Sequence, residues 1–426
     1  MTMHGRQACN STEHFSRRNF LQGVTGGALG MAGFSGMVQA ESAKKLISQQ
    51  KQVVVFWLSG GMSQLESWDP KPGTDYGGPF QAIPTSVPGV HISELLPHTA
   101  KQMHHLALVR GINIRENNHS KGSIFMQTGH KETPGFQYPY LGSAFSEQLN
   151  PAESPLPGYV CIGRGGSPKE AAFLGPRNVP LTLAEGKPPQ NLVAPKGLSP
   201  EADRKRREFR SKLSKRFSLG RRSAETEIYN ASYDQAAALM TQKDIFDFSK
   251  ISKEDVARYG KGDFARNCLI ARQMVESGIT FTKVTHTNYD SHSENFNFHL
   301  EQLGEFDRPF ATFMSDLADH GLLEHTLVIC MCEFGRTPKI NPRMGRDHWG
   351  TAWSIALGGC GIKGGAVVGK TNANGTKVID REVDGGHLFH TYYRAVGLDP
   401  SEPFYHNGRP FEKANPKANP LTEILS

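Results

Sequence analysis

The sequence predicts an α/β fold built on a mostly parallel sheet with helices on both faces, and three observations carry that prediction. Short continuous apolar runs recur along the chain, as strands buried on both faces require. Between several of them lie longer stretches with apolar residues at helical spacing. The runs also end abruptly in Gly-rich or polar clusters, as the carboxyl ends of parallel strands do where they open into loops.

Val53–Leu58 (Val-Val-Val-Phe-Trp-Leu) is the first such strand and runs into Ser59, Gly60 and Gly61. Leu106–Val109 is the second. A helix is expected at 262–277, followed by a strand at 280–284. A longer helix is expected at about 297–319, where Phe298, Leu303, Phe306, Phe310, Phe313, Met314 and Leu317 recur on one face. It leads to a strand at 326–332, and Trp353–Leu357 is a further strand. Residues of about 130–260 fit the alternation less well. They hold Pro- and Gly-rich loops at 134–139, 151–158 and 186–199 and a basic helical segment, and read as an insertion or cap.

Residues 1–40 stand apart. They carry Ser16-Arg17-Arg18-Asn19-Phe20-Leu21, a weakly apolar Gly/Ala-rich stretch and then Val38-Gln39-Ala40. Paired arginines before Phe-Leu, a mild apolar segment and a small-residue cleavage site, in that order, read as a twin-arginine signal peptide. The mature domain is then 41–426, with the twin-arginine export machinery as its partner in transit and the periplasm or cell exterior as its destination. No later apolar run reaches about 18 residues, so no retained membrane span is expected.

The chain of 426 residues is 37% hydrophobic, enough for a sizeable core. Its formal charge is +7, and much of that sits in 204–222. Helical spacing, with Phe209 and Phe217 the only aromatics there, makes this run a solvated helix in preference to a nucleic-acid surface. Of six cysteines, Cys9 falls in the leader. Cys161, Cys268, Cys330, Cys332 and Cys360 are odd in number and lack disulfide-framework spacing. Cys330 and Cys332 lie on one face of an apolar run and are expected buried.

The polar clusters that follow the strands carry the candidate chemistry. They are Asn117–Gly122, His286–His292, Glu333–Thr337 and Gly345–Gly350. In a parallel sheet these converge on one rim, where carboxylates and imidazoles together can hold a divalent metal. Asp290 and His292 read either as ligands or as loop residues capping a helix. Asp347 and His348 are a common pair and read either way. Glu333 directly after a buried strand needs a partner, either a metal or Arg336 as a plain ion pair. Ser120 precedes an expected short helix at 121–128, where it serves as an N-cap or as a nucleophile aimed at helix-end N–H groups. His119 reads as a ligand, a base or a simple hydrogen bonder.

Taken together, several strings resemble the twin-arginine-exported bacterial family called domain of unknown function 1501. They are Phe56–Gly61 with Trp68–Pro72, Asn118-His119-Ser120, Tyr289–His292, Glu333–Pro338 (Glu-Phe-Gly-Arg-Thr-Pro), Gly345–Trp349 (Gly-Arg-Asp-His-Trp) and the tail Tyr392–Pro400. They span nearly the whole mature chain. The family is similar to the alkaline phosphatase and sulfatase superfamily. That resemblance implies an α/β/α sandwich with metal at the strand ends, a Ser, Thr or Cys nucleophile at a helix start, and a covalent ester that is then hydrolysed. It implies Asp290, His292, Glu333, Asp347 and His348 as ligands of a divalent metal such as zinc, manganese or calcium. Ser120 or His119 would take part in attack, and Arg336 or Lys121 would balance the charge of an anionic small-molecule or polysaccharide ester. The sequence departs from the superfamily pattern at Ser59, where an Asp is usual, and at Phe334, where a His is expected. It also lacks a Cys-x-Pro-x-Arg sulfatase signature. The expectation is therefore an exported metal-dependent hydrolase of phosphate or sulfate esters. Its rival is an exported binding or scaffold protein that kept the fold and lost the chemistry.

Overall fold

The computed structural model describes residues 50–426, apart from 152–153, 190–191, 193–196 and 220–223. The leader expected at 1–40 lies outside the described residues. Among the described residues, eight strands make the central sheet: β1 (Gln52–Leu58), β2 (Leu106–Ile112), β3 (Tyr159–Ile162), β4 (Leu181–Leu183), β5 (Phe281–His286), β6 (Thr326–Met331), β7 (Trp353–Gly359) and β8 (Val367–Val368). They lie in the order β8-β2-β7-β6-β1-β5-β3-β4. β1 pairs in parallel with both β5 and β6. Only β7 runs against its neighbours, β6 and β2. The sheet is thus mostly parallel, as expected.

The longer helices are α1 (His119–Thr128), α2 (Leu141–Leu149), α3 (Pro200–Ser218), α4 (Ala224–Thr241), α5 (Asp263–Glu276), α6 (Asn295–Asp319) and α7 (Gly385–Ala395). Side chains alternate across each strand, so β1 feeds two layers. On one face Phe56 meets Phe264 of α5 and Phe310 and Phe313 of α6 edge-on, with ring centroids 5.1–6.2 Å apart. On the other, Phe281 of β5 stacks on Phe145 of α2, and Tyr392 of α7 reaches Met331 of β6. α1 joins this second layer, since Gln127 lies 3.3 Å from the buried Lys283 amine of β5. The result is an α/β/α sandwich. Its core is aromatic enough that truncating one ring such as Phe56 to Ala would cost about 3–5 kcal/mol.

The stretch 130–260, read as an insertion or cap, differs from that expectation in part. β3 and β4 fall within it and extend the main sheet beyond β5. Each spans only three or four residues between Pro- and Gly-rich loops, too short for a pattern to stand out. The five cysteines of the described domain are free and buried.

Parallel order decides where the site lies. The carboxyl ends of β1, β2, β5 and β6 share one rim. Because β7 is reversed, its entry, preceded by Gly345–Gly350, opens on that same rim.

Candidate metal centre

The first loop, after β1, turns back at Gly60 with φ of 111°. A Cβ there would lie 2.6 Å from the Asp290 backbone nitrogen, so only glycine lets the loops after β1 and β5 touch. Gly345 has the same task on the other side, since its Cβ would lie 2.1 Å from the His292 carbonyl carbon. A two-residue ribbon pairs Gly335–Arg336 with His348–Trp349 and brings the late His beside the end of β6.

Three imidazoles and one carboxylate meet there. Asp290 Oδ1 lies 3.1 Å from His292 Nε2 and 3.2 Å from His348 Nε2. Its Oδ2 lies 3.3 Å from His119 Nε2. His292 Nε2 and His348 Nε2 are 2.9 Å apart. Donor atoms of His119, Asp290 and His348 all lie within 4.8 Å of one another.

Each imidazole is held from behind through its other nitrogen. His119 Nδ1 donates to Glu333 Oε1 at 2.7 Å, His292 Nδ1 to Asp347 Oδ1 at 2.7 Å, and His348 Nδ1 to the Asn117 carbonyl at 2.7 Å. With Nδ1 donating in all three, the Nε2 lone pairs point toward Asp290 and one another. Two facing lone pairs 2.9 Å apart require a cation or a proton between them. His119 Nε2 is buried with no hydrogen-bond partner. A tetrahedral ion with bonds of about 2.0–2.1 Å sets its ligand atoms about 3.3 Å apart, close to the 2.9–3.3 Å of the His292–His348 and Asp290–imidazole separations. The residues therefore fit a metal.

The electrostatics agree. Burial pushes the Asp290 carboxyl up, but the Arg336 hydrogen bond and charge, with His119 and His292, outweigh it and hold it at about 2. The Glu333 hydrogen bond raises the His119 imidazole against the effect of burial. Burial lowers His348, opposed by its bond to the Asn117 carbonyl. The His292 hydrogen bond lowers Asp347.

The structure sorts the expected residues. Asp290, His292 and His348 come together, and His119 joins them as a fourth donor. Glu333 and Asp347 sit behind imidazoles. Glu333 also accepts the Gly60 N–H at 2.9 Å, and its side chain is 3% exposed. Arg336 is fully buried, and four of its five N–H donors go to the Gly60, Gly61 and Arg346 carbonyls and to Asp290. Ser120 corrects one expectation, because the α1 N-cap is Asn118, whose side chain accepts from the Lys121 N–H at 3.2 Å. Ser120 lies one residue into the helix and is exposed, as is Lys121.

Sequence reasoning missed the support beneath the site. Glu66 and Arg346, both fully buried, form an ion pair at 2.8 Å. Arg346 also donates to the Thr337, Pro338 and Tyr76 carbonyls. Its position inside Gly-Arg-Asp-His-Trp was the only available signal.

The chain belongs to a family described as a protein of unknown function (DUF1501), whose model matches residues 50–425. No curated protein matches it. Solved structures that overlay on it include the lipoteichoic acid synthase LtaP from Listeria monocytogenes, at 8% identity and a TM-score of 0.37, covering 88% of this chain and 80% of that one. The PsFucS1 sulfatase from Pseudoalteromonas sp. overlays at 12% identity and 0.39, covering 85% and 70%. The alkaline phosphatase from the Antarctic bacterium TAB5 overlays at 12% identity and 0.38, covering 82% and 99%.

Proposed function

We propose that this member of the DUF1501 family is an exported metal-dependent hydrolase of phosphate or sulfate esters. The observation that carries the reading is the convergence of three imidazole Nε2 atoms on the Asp290 carboxylate, each imidazole pinned through Nδ1. His119, Asp290, His292 and His348 are the ligands. Three nitrogens and one oxygen suit zinc, and they argue against calcium, which takes oxygen ligands. A bound divalent cation supplies Lewis-acid stabilisation of charge on a phosphoryl or sulfuryl oxygen. Glu333, Asp347 and the Asn117 carbonyl fix the tautomers. Arg336 keeps Asp290 ionised and in place. Ser120, beside His119 in the first turn of α1, would supply the hydroxyl for attack, and exposed Lys121 would meet the ester's anionic charge. The ester class follows from the resemblance of the DUF1501 family, whose match the Tyr289–His292, Glu333–Pro338 and Gly345–Trp349 strings carry, to the phosphatase and sulfatase superfamily. The Arg17-Arg18 leader supports export through the twin-arginine machinery to the periplasm or beyond.

A binding or scaffold protein is the second reading, favoured by two observations. Ser120 makes no hydrogen bond to the cluster among the described residues, and Ser59 supplies no carboxylate after β1. One experiment separates the two. Metal content is measured for the wild type and for an Asp290→Ala/His348→Ala variant, and both are assayed on aryl phosphate and aryl sulfate. About one equivalent of zinc with turnover, both lost in the variant, supports the hydrolase. Metal without turnover on any ester supports the scaffold. A wild type that takes up no metal after supplementation overturns the site itself.

A further inference from the structure

α3 is turned inside out. Its inner face is polar: Asp203 is buried, Arg210 donates to Asn230 and Asp234 of α4 at 2.8 and 2.9 Å, and the Arg210 guanidinium sits 4.5 Å over the Tyr233 ring. Its outer face carries large apolar residues. Phe209 is 64% exposed and Leu213 52%, at four-residue spacing, and Leu219 beyond the helix end is 78% exposed. At 3.6 residues per turn, Phe209 and Leu213 lie about 40° apart, with Lys212 and Arg216 within about 60° of Phe209. Asp203, Arg210 and Ser214 lie about 100–140° round from Phe209, toward the protein. Exposed apolar side chains over a polar inner face are the informative departure from ordinary burial.

Charge says what covers that face. α3 holds eight Lys and Arg residues against three Asp and Glu. A second copy of the helix would bring two strongly basic faces together. A soluble polyanion would neutralise the charge and leave Phe209 and Leu213 in water. An anionic bilayer surface satisfies both properties, since apolar side chains enter the acyl boundary while basic ones meet the headgroups. No helix among the described residues is long and apolar enough to cross a membrane.

We propose that α3 is a membrane-surface helix that docks the protein on anionic lipid, with Phe209 and Leu213 inserting and Lys212 and Arg216 contacting headgroup phosphates. This rests on the helix alone and stands or falls independently of the metal centre.

The test is co-sedimentation of the full chain with vesicles of neutral phosphatidylcholine and with vesicles containing about 30% phosphatidylglycerol. The wild type is compared with Phe209→Ser/Leu213→Ser and Lys212→Glu/Arg216→Glu. The expected result is binding to anionic vesicles only, weakened about tenfold or more in each double variant, with thermal melting unchanged because these residues are exposed. The proposal is overturned by no binding to anionic vesicles, or by binding that the apolar double variant leaves intact. It is equally overturned if sedimentation shows a wild-type dimer that the apolar variant abolishes while vesicles bind neither protein.

Discussion

His119 Nδ1 and Glu333 Oε1 are 2.7 Å apart although the residues lie 214 positions apart in the chain. The contact joins the start of α1 to the end of β6, and the same oxygen accepts the Gly60 N–H. Glu333 thereby sets the tautomer of one candidate ligand and the position of the loop that touches Asp290. Glu333→Gln keeps the shape and removes the charge. Metal affinity is expected to fall about 10–100-fold, measured by competition with a chelator, with secondary structure retained. Unchanged affinity would show that His119 is not held for a metal.

Gly345→Ala tests the backbone packing behind His292. The new Cβ would lie 2.1 Å from the His292 carbonyl carbon and 2.4 Å from the Ser293 nitrogen, and both are backbone atoms that cannot swing aside. The loop must shift, carrying Asp347 and His348 with it. The expected outcome is about 1–3 kcal/mol lower stability by denaturant titration and weaker metal binding than wild type. A variant with wild-type affinity would place the ligand geometry elsewhere.

Much of this frame is legible in the residues. β1 and α6 announce themselves, one as six consecutive apolar residues, the other as a helical stripe from Leu303 to Leu317. The reversed β7 is not legible, because a buried apolar strand reads alike in either direction. Asp290, His292 and His348 stand out as polar residues after strands. Sorting ligands from orienting groups is beyond sequence, since a carboxylate that binds metal and one that binds the back of an imidazole are the same residue type. Arg336 illustrates the limit. Its charge suits a substrate contact equally well, and only the structure shows it fully buried with four of its five N–H donors on backbone carbonyls and Asp290.

Stability below neutral pH should report the ion network between α5, α6 and the short helix Lys253–Tyr259. Hydrogen bonding from Arg272, opposed by burial and helped by the Arg272 charge and by Arg258, holds the Asp255 carboxyl at about 2. The folded value is depressed, so the contribution is fully present above the unfolded value of about 3.9 and is lost as pH falls through about 2. Asp255→Asn should lower stability by about 1–2 kcal/mol at neutral pH, after allowance for solvent screening. The gap between wild type and variant should close between about pH 4 and 2, followed by thermal melts. A gap that persists to pH 2 would assign the effect to packing.

Glu66 and Arg346 offer the sharpest separation of stability from site assembly. Both side chains are fully buried, and Arg346 reaches both Glu66 oxygens through Nε at 3.1 and 3.2 Å. Burial raises the Glu66 carboxyl, but the Arg346 charge, with His299 and the Arg346 and Ser63 hydrogen bonds, brings it below the usual carboxylate range. The Arg346 backbone N–H donates to the Ser291 carbonyl at 2.9 Å, so the pair anchors the chain between His292 and His348. Removing either partner leaves a buried charge uncompensated. Glu66→Gln and Arg346→Met should each cost about 3–5 kcal/mol in denaturant titration. The double variant should be less destabilised than the two losses added, by about 1 kcal/mol or more, because it strands no charge. If the pair serves the site as well as the fold, the double variant should still bind metal more weakly than wild type at temperatures where it is folded. Additive losses would mean that the two residues act separately. Wild-type metal affinity in the double variant would confine the pair to stability.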